Sequence, residues 1–327
     1  MGQSLVAGVD IGHHSIKAVL LKPHRESYSL LGWQEIVVPD DIFADNHTLN
    51  YQKIVKKLKE LKKALPLFSR KVALAVPDSS VITKQIQIDS ALDSHEQQFA
   101  VYQAFAQQSP LPLDALQLDY IMQPGSVSAE GKQEGQVYAT RSEVVQSRVA
   151  ALRGAGWQPL QLALLSQVMR GLWCWYSVQQ GRSDCLLVDV GQRWLTLTMQ
   201  LPDGSFYYRQ QSFNQPPALT FPAMPSAAET VADAMLCDCL QRELQRLSAL
   251  HGSDVVAGLW LCGGGAEQLL SSPLTEALPC ELLSVFDGLD RAGGASLPEK
   301  PHCYSLAMAL ALSGLRWQQQ LLSGAKR

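Results

Sequence analysis

The first residues whose types and spacing could do chemistry lie in a turn near the start of the sequence. Asp10 ends an apolar run, and a polar turn separates it from a second apolar run. The residues of that turn are Gly12, His13, His14 and Ser15. Backbone N–H groups in a tight turn can converge on an anion, and a carboxylate at a strand end suits hydrated Mg²⁺. The stretch predicts either a phosphate-binding hairpin or an ordinary hairpin with glycine in its turn.

The same pattern returns in the second half of the chain. Asp189 ends another apolar run, and the turn after it contains Gly191, Gln192 and Arg193. Two strand–Asp–x–Gly–turn–strand units of one design predict two lobes related by pseudo-symmetry, with both turns facing a shared ligand; chance repetition is the alternative. Two facing carboxylates repel each other unless a cation and phosphates lie between them.

A glycine triplet forms the third motif. Gly263, Gly264 and Gly265 follow a predicted strand and precede a predicted helix. Bare backbone at such a junction lets a ligand approach closely, although glycines also serve plain tight turns. A dinucleotide-binding fingerprint is excluded, because Gln268 stands where its last glycine is required.

Composition restricts the class of protein. A length of 327 residues predicts two lobes, and 46% hydrophobic with 17% charged residues is typical of a globular chain. The net charge of -3 gives no electrostatic case for nucleic acid. Seven cysteines without a C-x-x-C pair predict free thiols, and no apolar run is long enough to span a membrane.

The spacing of apolar residues predicts the elements that position these motifs. A third strand is expected over 28–38, and a helix over 50–65 should carry lysines on its outer faces. Those lysines are Lys53, Lys56, Lys57, Lys59, Lys62 and Lys63. We interpret the lysine face as solvated, with contact to an acidic partner or a membrane surface as the alternative.

The pattern changes at Lys71. A buried strand ending at Pro77 is expected to pair with an alternating strand over 81–88, and together residues 71–159 predict an inserted β-β-α-β-β-α unit. Residues 160–178 predict a buried helix, and residues 215–226 a proline-rich loop. Helices are expected over 230–250 and 304–322, the latter packing back on the first lobe rather than lying on a membrane.

The order of the three motifs resembles the phosphate 1, phosphate 2 and adenosine motifs of the actin, heat-shock chaperone and sugar-kinase superfamily. More closely, the chain resembles the PilM family, actin-like cytoplasmic proteins of the type IV pilus inner-membrane assembly complex that are themselves similar to the division protein FtsA. Supporting stretches are Ser15-Ile-Lys-Ala-Val19, Ser80-Val-Ile-Thr-Lys84 and Ala139-Thr-Arg-Ser-Glu-Val-Val145.

The resemblance implies an α/β fold, the actin-like two-lobe ATPase fold with duplicated ribonuclease H-like lobes. The first lobe core would be 1–70 with 160–182 and 301–327, the FtsA-like insert 71–159, and the second lobe 183–300 with a shortened small subdomain. ATP would lie between the lobes, with Asp10 and Asp189 facing Mg²⁺. Gly12 to Ser15 and Gly191 to Arg193 would cradle phosphates, and Gly263 to Gly265 would approach adenosine. Lys17 is interpreted as structural.

The resemblance also implies partners. PilM-like proteins bind the N-terminal cytoplasmic segment of PilN in a groove between the first subdomain and the insert. The same resemblance implies other inner-membrane pilus assembly proteins as partners, a cytoplasmic location at the inner membrane, and membrane contact only through partners; self-association stays open.

The sequence departs from the family after the second hairpin. A Phe-Gly-Gly stretch is replaced by Phe213 and prolines, and Ala232 stands where a ribose-contacting lysine is expected; Arg193 and Trp194 are bulkier than usual. These departures bear on ATP affinity rather than on the fold. Because no further carboxylate offers a base for an acceptor, an assembly protein with little or no hydrolysis is favoured over an active ATPase or small-molecule kinase of the superfamily.

Overall fold

The computed structural model describes residues 5–25, 27–39, 41–43, 48–66, 70–212, 227–270, 272, 278–291 and 295–324. The strands are β1 Val6–Ile11, β2 Ser15–His24, β3 Ser27–Val37, β4 Lys71–Val76, β5 Val81–Asp89, β6 Leu116–Val127, β7 Lys132–Arg141, β8 Gln158–Leu164, β9 Cys185–Val190, β10 Trp194–Gln200, β11 Phe206–Ser212, β12 Gly258–Cys262, β13 Cys280–Leu282 and β14 Asp290–Arg291. The α-helices are α1 Tyr51–Ala64, α2 Ser94–Ala106, α3 Ser142–Gly154, α4 Leu165–Gln180, α5 Ala227–His251, α6 Ala266–Leu270 and α7 Ser305–Gly324.

Two sheets share one design. The six-stranded sheet has the order β14-β3-β2-β1-β4-β8, and the five-stranded sheet has the order β11-β10-β9-β12-β13. In each, three antiparallel strands form a meander, and a parallel strand lies against the first strand of that meander. The two lobes of one design predicted from the repeated motif, and the duplicated ribonuclease H-like fold that the resemblance implies, are therefore confirmed.

A third sheet has three strands, and the chain forms it between β4 and β8 of the six-stranded sheet. Its order is β5-β7-β6, and α2 packs on one face through Val101 and Phe105 against Ile86 and Val137. The carboxylate of Asp93 caps α2 by accepting from the N–H groups of His95 and Glu96, a local signal that fixes where the helix begins. Residues 81–141 thus form a β-α-β-β unit with its own small core.

The predicted pairing of β4 with β5 is wrong. β4 runs parallel to β1 and β8 in the six-stranded sheet, and β5 pairs with β7. Pro77 and the 3-10 turn Asp78–Ser80 redirect the chain between them. Helix α3 likewise packs with Ala151 and Leu152 in the core under α1. The domain limits 1–70, 71–159 and 183–300 stay predictions, but two elements of the predicted insert belong to the first lobe's sheet and core.

Residues 160–164 form a strand rather than the start of the predicted helix. β8 pairs with β4, and α4 begins only at Leu165. A short, mostly apolar stretch such as 160–164 does not by its periodicity separate a strand from the start of a helix, so the boundary could not be read from the sequence.

The helices predicted over 230–250 and 304–322 are present as α5 and α7. Helix α7 crosses β1 so closely that a Cβ added to Gly8 would lie 2.0 Å from the carbonyl oxygen of Ala307. The expected packing of this helix on the first lobe is confirmed. The proline-rich loop 215–226 lies outside the described residues.

Two further expectations are met. Helix α1 buries Ile54, Val55, Leu58 and Leu61 and turns its lysines outward, and all seven cysteines are free. Among the described helices, none combines the length and the apolarity needed to cross a bilayer.

Candidate functional site

A cavity of about 380 Å³ lies where the two hairpin turns and the glycine triplet meet. This volume falls within the range of roughly 300–1,000 Å³ that is usual for small-molecule sites. All the sequence-predicted site residues line it. They are Asp10, Gly12, His13, His14, Ser15, Asp189, Gly191, Gln192, Arg193, Gly263, Gly264 and Gly265.

The two hairpin turns are closed in the same way. In the first, the N–H of Gly12 donates to the carbonyl oxygen of Ser15 at 3.0 Å, and in the second the N–H of Gly191 donates to that of Trp194 at 2.9 Å. A Cβ on either glycine would press on the carbonyl oxygen that closes its own turn. Closure of the turn thus explains why glycine recurs at this position. The other N–H groups of each turn take no part in that closure.

Lys17 joins the acidic groups of the first lobe. Lys17 is on β2, where it lies opposite Asp10 of β1 and opposite Glu35 of β3. Its ammonium donates to the Oγ of Ser15 at 2.7 Å and pairs with the Oε1 of Glu35 at 3.2 Å. Lys17 also lines the cavity, which the sequence interpretation of this residue as structural missed. Its position directly across the hairpin from Asp10 is the signal that could have found it.

Asp10 and Asp189 both line the cavity and are half-buried, one from each lobe. Burial raises the pKa of Asp10, and the charge of Lys17 opposes that rise. Burial, followed by the negative charge of Asp10, raises the pKa of Asp189 to about 6. The thiol of Cys262 donates to the Oδ1 of Asp189 at 3.6 Å. Two half-buried carboxylates, one of which has its pKa raised by the charge of the other, are a donor set that a divalent cation would neutralise, so these residues fit Mg²⁺.

The cation would complete its coordination with groups other than protein side chains. In the described part of the chain, His, Cys, Asp and Glu residues form no group of three or more that could hold a metal. Mg²⁺ keeps several waters and takes one or two carboxylates together with phosphate oxygens. Asp10 and Asp189 suit that mode of binding.

The three glycines of the triplet have different surroundings. Gly263 has φ +89°, and a Cβ there would lie 2.4 Å from the carbonyl oxygen of Val190. Gly265 donates its N–H to that same oxygen at 2.9 Å. Gly264 has nothing within 4 Å of its Cβ position. The outer glycines lock the loop against the second hairpin, and the middle one leaves open space.

Two lining residues carry chemistry that the sequence did not reveal. Arg148 on α3 is buried, donates to the carbonyl oxygen of Val144 at 3.0 Å, and has its pKa lowered to about 10 by burial. An arginine within the apolar stripe of a helix was the available signal. The ring of Phe43 packs on His13 with centroids 4.6 Å apart, which orients that imidazole at the cavity wall.

The duplicated sheets, the inserted small sheet and the cleft between the hairpins define a protein of the actin-like ATPase fold. Within it, the chain belongs to the family of type IV pilus assembly protein PilM, whose sequence model matches residues 8–215. A solved PilM-PilN type IV pilus biogenesis complex contains a chain that is 22% identical, with a TM-score of 0.73 over 95% of this chain and 98% of that one.

Two further solved structures are similar to the chain at lower TM-scores. The ethanolamine utilization protein EutJ from Carboxydothermus hydrogenoformans is 12% identical, with a TM-score of 0.48 over 95% of this chain and 90% of that one. The cytoplasmic domain of EpsL from the Vibrio cholerae type II secretion system is 9% identical, with a TM-score of 0.42 over 95% of each chain.

Proposed function

We propose that this chain binds the N-terminal cytoplasmic segment of a PilN-type protein as part of a type IV pilus machine, and holds ATP with Mg²⁺ between its lobes with little or no hydrolysis. The proposal includes a position at the inner face of the inner membrane, reached through that partner. Contacts with other pilus assembly proteins belong to the same proposal, and self-association stays open.

The observation that carries the nucleotide part is the meeting of two duplicated hairpins at one cavity, each contributing a half-buried aspartate. In this proposal Asp10 and Asp189 hold Mg²⁺, which neutralises phosphate charge. Within the turns Gly12 to Ser15 and Gly191 to Arg193, the N–H groups other than those of Gly12 and Gly191 bind phosphate oxygens, with Lys17 as a further cation. The open position at Gly264 faces adenosine.

Weak turnover is proposed because the described lining of the cavity has no carboxylate beyond the two assigned to the metal. Asp10 and Asp189 are the acidic side chains among its described lining residues, and both are assigned to the metal. Phosphoryl transfer to a hydroxyl acceptor needs a positioned base in addition. The alternative, an active ATPase or small-molecule kinase, is favoured by Gln192, Gln210 and Gln268, since amides on the cavity wall can orient a water.

Nucleotide binding is tested by titrating labelled ATP into the purified chain with and without Mg²⁺, in parallel with a phosphate-release assay. We expect Mg²⁺-dependent binding that Asp10→Ala weakens at least tenfold, and turnover near background. Rapid phosphate release that Asp10→Ala abolishes would establish the enzyme instead. Absence of binding at any Mg²⁺ concentration would remove the nucleotide part of the proposal.

The partner is tested separately with a fluorescent peptide of the PilN N-terminal cytoplasmic segment. The support for this partner is membership of the PilM family together with the fold shared with the chain in the solved PilM-PilN complex. We expect saturable binding by fluorescence anisotropy and none with a scrambled peptide. Equal anisotropy changes with both peptides would count against a specific partner.

A further inference from the structure

The surface of α1 concentrates positive charge on a chain whose net charge is -3. The helix carries six lysines and one glutamate in 14 residues. Ile54, Val55, Leu58 and Leu61 occupy its buried side, so the lysines necessarily occupy the rest of its circumference. The charge is therefore fixed on one face of the folded first lobe.

Half of these lysines have partners. Lys53 pairs with Asp41, Lys57 pairs with Glu60, and Lys62 donates to the carbonyl oxygen of Gly156. The other three, Lys56, Lys59 and Lys63, are exposed. None of them forms an ion pair with a described residue. Their spacing of three and four residues places them in a single stripe along the helix.

Two exposed arginines lie near α1. The backbone of Arg153 accepts from the N–H of Gly156, the residue whose carbonyl Lys62 contacts, and the backbone of Arg70 accepts from the N–H of Gln158. Both arginines are therefore held beside the loop that the end of α1 touches, and both are exposed. We call the surface formed by Lys56, Lys59, Lys63, Arg70 and Arg153 the basic face.

The kind of anion that suits this face follows from its shape and side chains. Lysines are flexible point charges without the planar fork that selects one carboxylate geometry, and a helix side is convex rather than grooved. Tyr51, 52% exposed, lies at the start of α1 with its hydroxyl against Gly154, next to Arg153. An amphipathic aromatic ring beside spread cations is suited to the headgroup region of a bilayer.

We propose that the basic face binds the surface of a membrane that contains anionic phospholipids. This goes beyond the proposed function and beyond membrane contact through partners alone. None of the five basic-face residues lines the cavity, so nucleotide binding and lipid binding can fail independently.

The test is vesicle co-sedimentation of the full chain, without nucleotide or peptide. Vesicles of phosphatidylcholine alone are compared with vesicles containing ~30% phosphatidylglycerol, because each lysine near an anionic surface contributes about fivefold in partitioning. We expect binding to the anionic vesicles only, and release at high NaCl, where the Debye length shortens to a few ångströms.

Charge reversal provides the decisive comparison. The triple variant Lys56→Glu, Lys59→Glu, Lys63→Glu should lose at least ~100-fold in partitioning, since three contributions are removed. The control Lys132→Glu, Arg242→Glu, Arg246→Glu makes the same change in net charge at exposed positions on other elements and should retain most of the binding. Circular dichroism and thermal unfolding establish that both variants fold.

Three results would overturn the proposal. They are equal binding to both kinds of vesicle, equal loss in the two triple variants, and binding to a soluble glutamate-rich peptide without binding to anionic vesicles. The last would identify the basic face as a site for an acidic protein segment instead.

Discussion

Ionisation of Asp10 and Asp189 is unfavourable without a cation in the cleft and favourable with one. Burial raises the pKa of both, and that of Asp189 reaches about 6, above an ordinary value near 3.9. Because the folded chain holds the proton more tightly than the unfolded one, the neutral form of Asp189 favours folding. That contribution is complete below about pH 4 and is lost as the pH rises through 6. A bound divalent cation would remove the cost of ionisation.

The first prediction concerns this ionisation. Asp189→Asn keeps the shape of the side chain without its charge, so we expect the free energy of unfolding of the ligand-free protein to rise by ~1–2 kcal/mol at pH 8 and to change little at pH 4. Urea denaturation at the two pH values measures it. The control is Asp203→Asn, whose exposed carboxylate has its pKa lowered by the hydroxyl of Ser205 and should give no gain. An equal effect of Asp189→Asn at both pH values would contradict the argument.

The second prediction separates two neighbouring glycines. Gly263→Ala should cost more than ~2 kcal/mol, because φ is positive and the new Cβ meets the carbonyl of Val190. Gly264→Ala should leave the free energy of unfolding within ~0.5 kcal/mol of the parent, as is usual for an exposed position without close neighbours. Thermal and urea unfolding compare the two variants.

In an ATP titration, Gly264→Ala should nevertheless weaken binding, because its methyl group would enter the space proposed for adenosine. Unchanged affinity in that variant, with the fold intact, would show that the ligand does not approach there.

The three sequence motifs, together with the family resemblance that joins them in one site, predicted twelve of the residues that line the cavity, because local turns carry a local signal. Lys17 and Arg148 could not be assigned in the same way. Each had a sequence signal, namely the place of Lys17 across the hairpin from Asp10 and the place of Arg148 in the apolar stripe of α3. Only the hairpin register and the packing of α3 bring the two side chains to the cavity.

At the scale of elements, the start of α4 depends on a residue far away in the chain. Its N-cap, Leu164, has no side chain that accepts a hydrogen bond. Instead, Asp78 accepts from the N–H of Ser166 at 2.8 Å and also from its hydroxyl. A carboxylate at a helix N-terminus both satisfies free N–H groups and interacts favourably with the helix dipole. The turn that leads into the small sheet thereby fixes where α4 begins.

The third prediction tests that cap. Asp78→Ala should lower the free energy of unfolding by ~1–2 kcal/mol, the usual cost of losing an N-cap. Ser166→Ala is the matched control, since it removes the hydroxyl and leaves the backbone N–H bonded to Asp78, and it should cost less than half as much. Urea denaturation of the two variants decides between them. Equal losses would mean that the hydroxyl contact, not the cap, matters.

The same elements show where sequence reasoning stopped. The alternating strand β5 and the amphipathic helix α1 were predicted because each shows its own period. β4 is largely buried on both sides, and β8 is mostly half-buried at the edge of the sheet. Nothing in either stretch indicates its partner. Their assignment to the six-stranded sheet depends on contacts between distant segments.

Across the whole molecule, the two lobes share a continuous core. Residues of β1, β9, β12, α4 and α7 belong to a single buried cluster. On its edge, the pKa of Tyr208 on β11 is raised by burial and by the nearby carboxylate of Asp78. Asp78 thus lies close to the second lobe while it caps α4, so movement of one lobe relative to the other would change the surroundings of the turn into the small sheet.

The fourth prediction is made at this scale and depends on the proposed nucleotide. Saturating ATP with Mg²⁺ should slow amide hydrogen exchange in both hairpin turns together, at 12–15 and 191–193, because both line one cavity. The hairpin between β6 and β7 is the internal control and should not change. Protection of one turn alone would contradict a ligand held between the lobes.

The duplication of the lobes was visible in the sequence because the repeated strand–Asp–x–Gly unit has the same local design twice. The sharing of one core between them was not, since it arises from helices that are separated in the chain from the strands they cover.

The close crossing of α7 over Gly8 has a consequence for the order of events during synthesis. β1 leaves the ribosome early, but the helix that covers one of its faces is translated only after almost all of the described chain. Contacts of such long sequence separation form late and slow folding. Until α7 is translated, the nascent first lobe therefore has an uncovered apolar strand. Chains that terminate before α7 should be prone to aggregate.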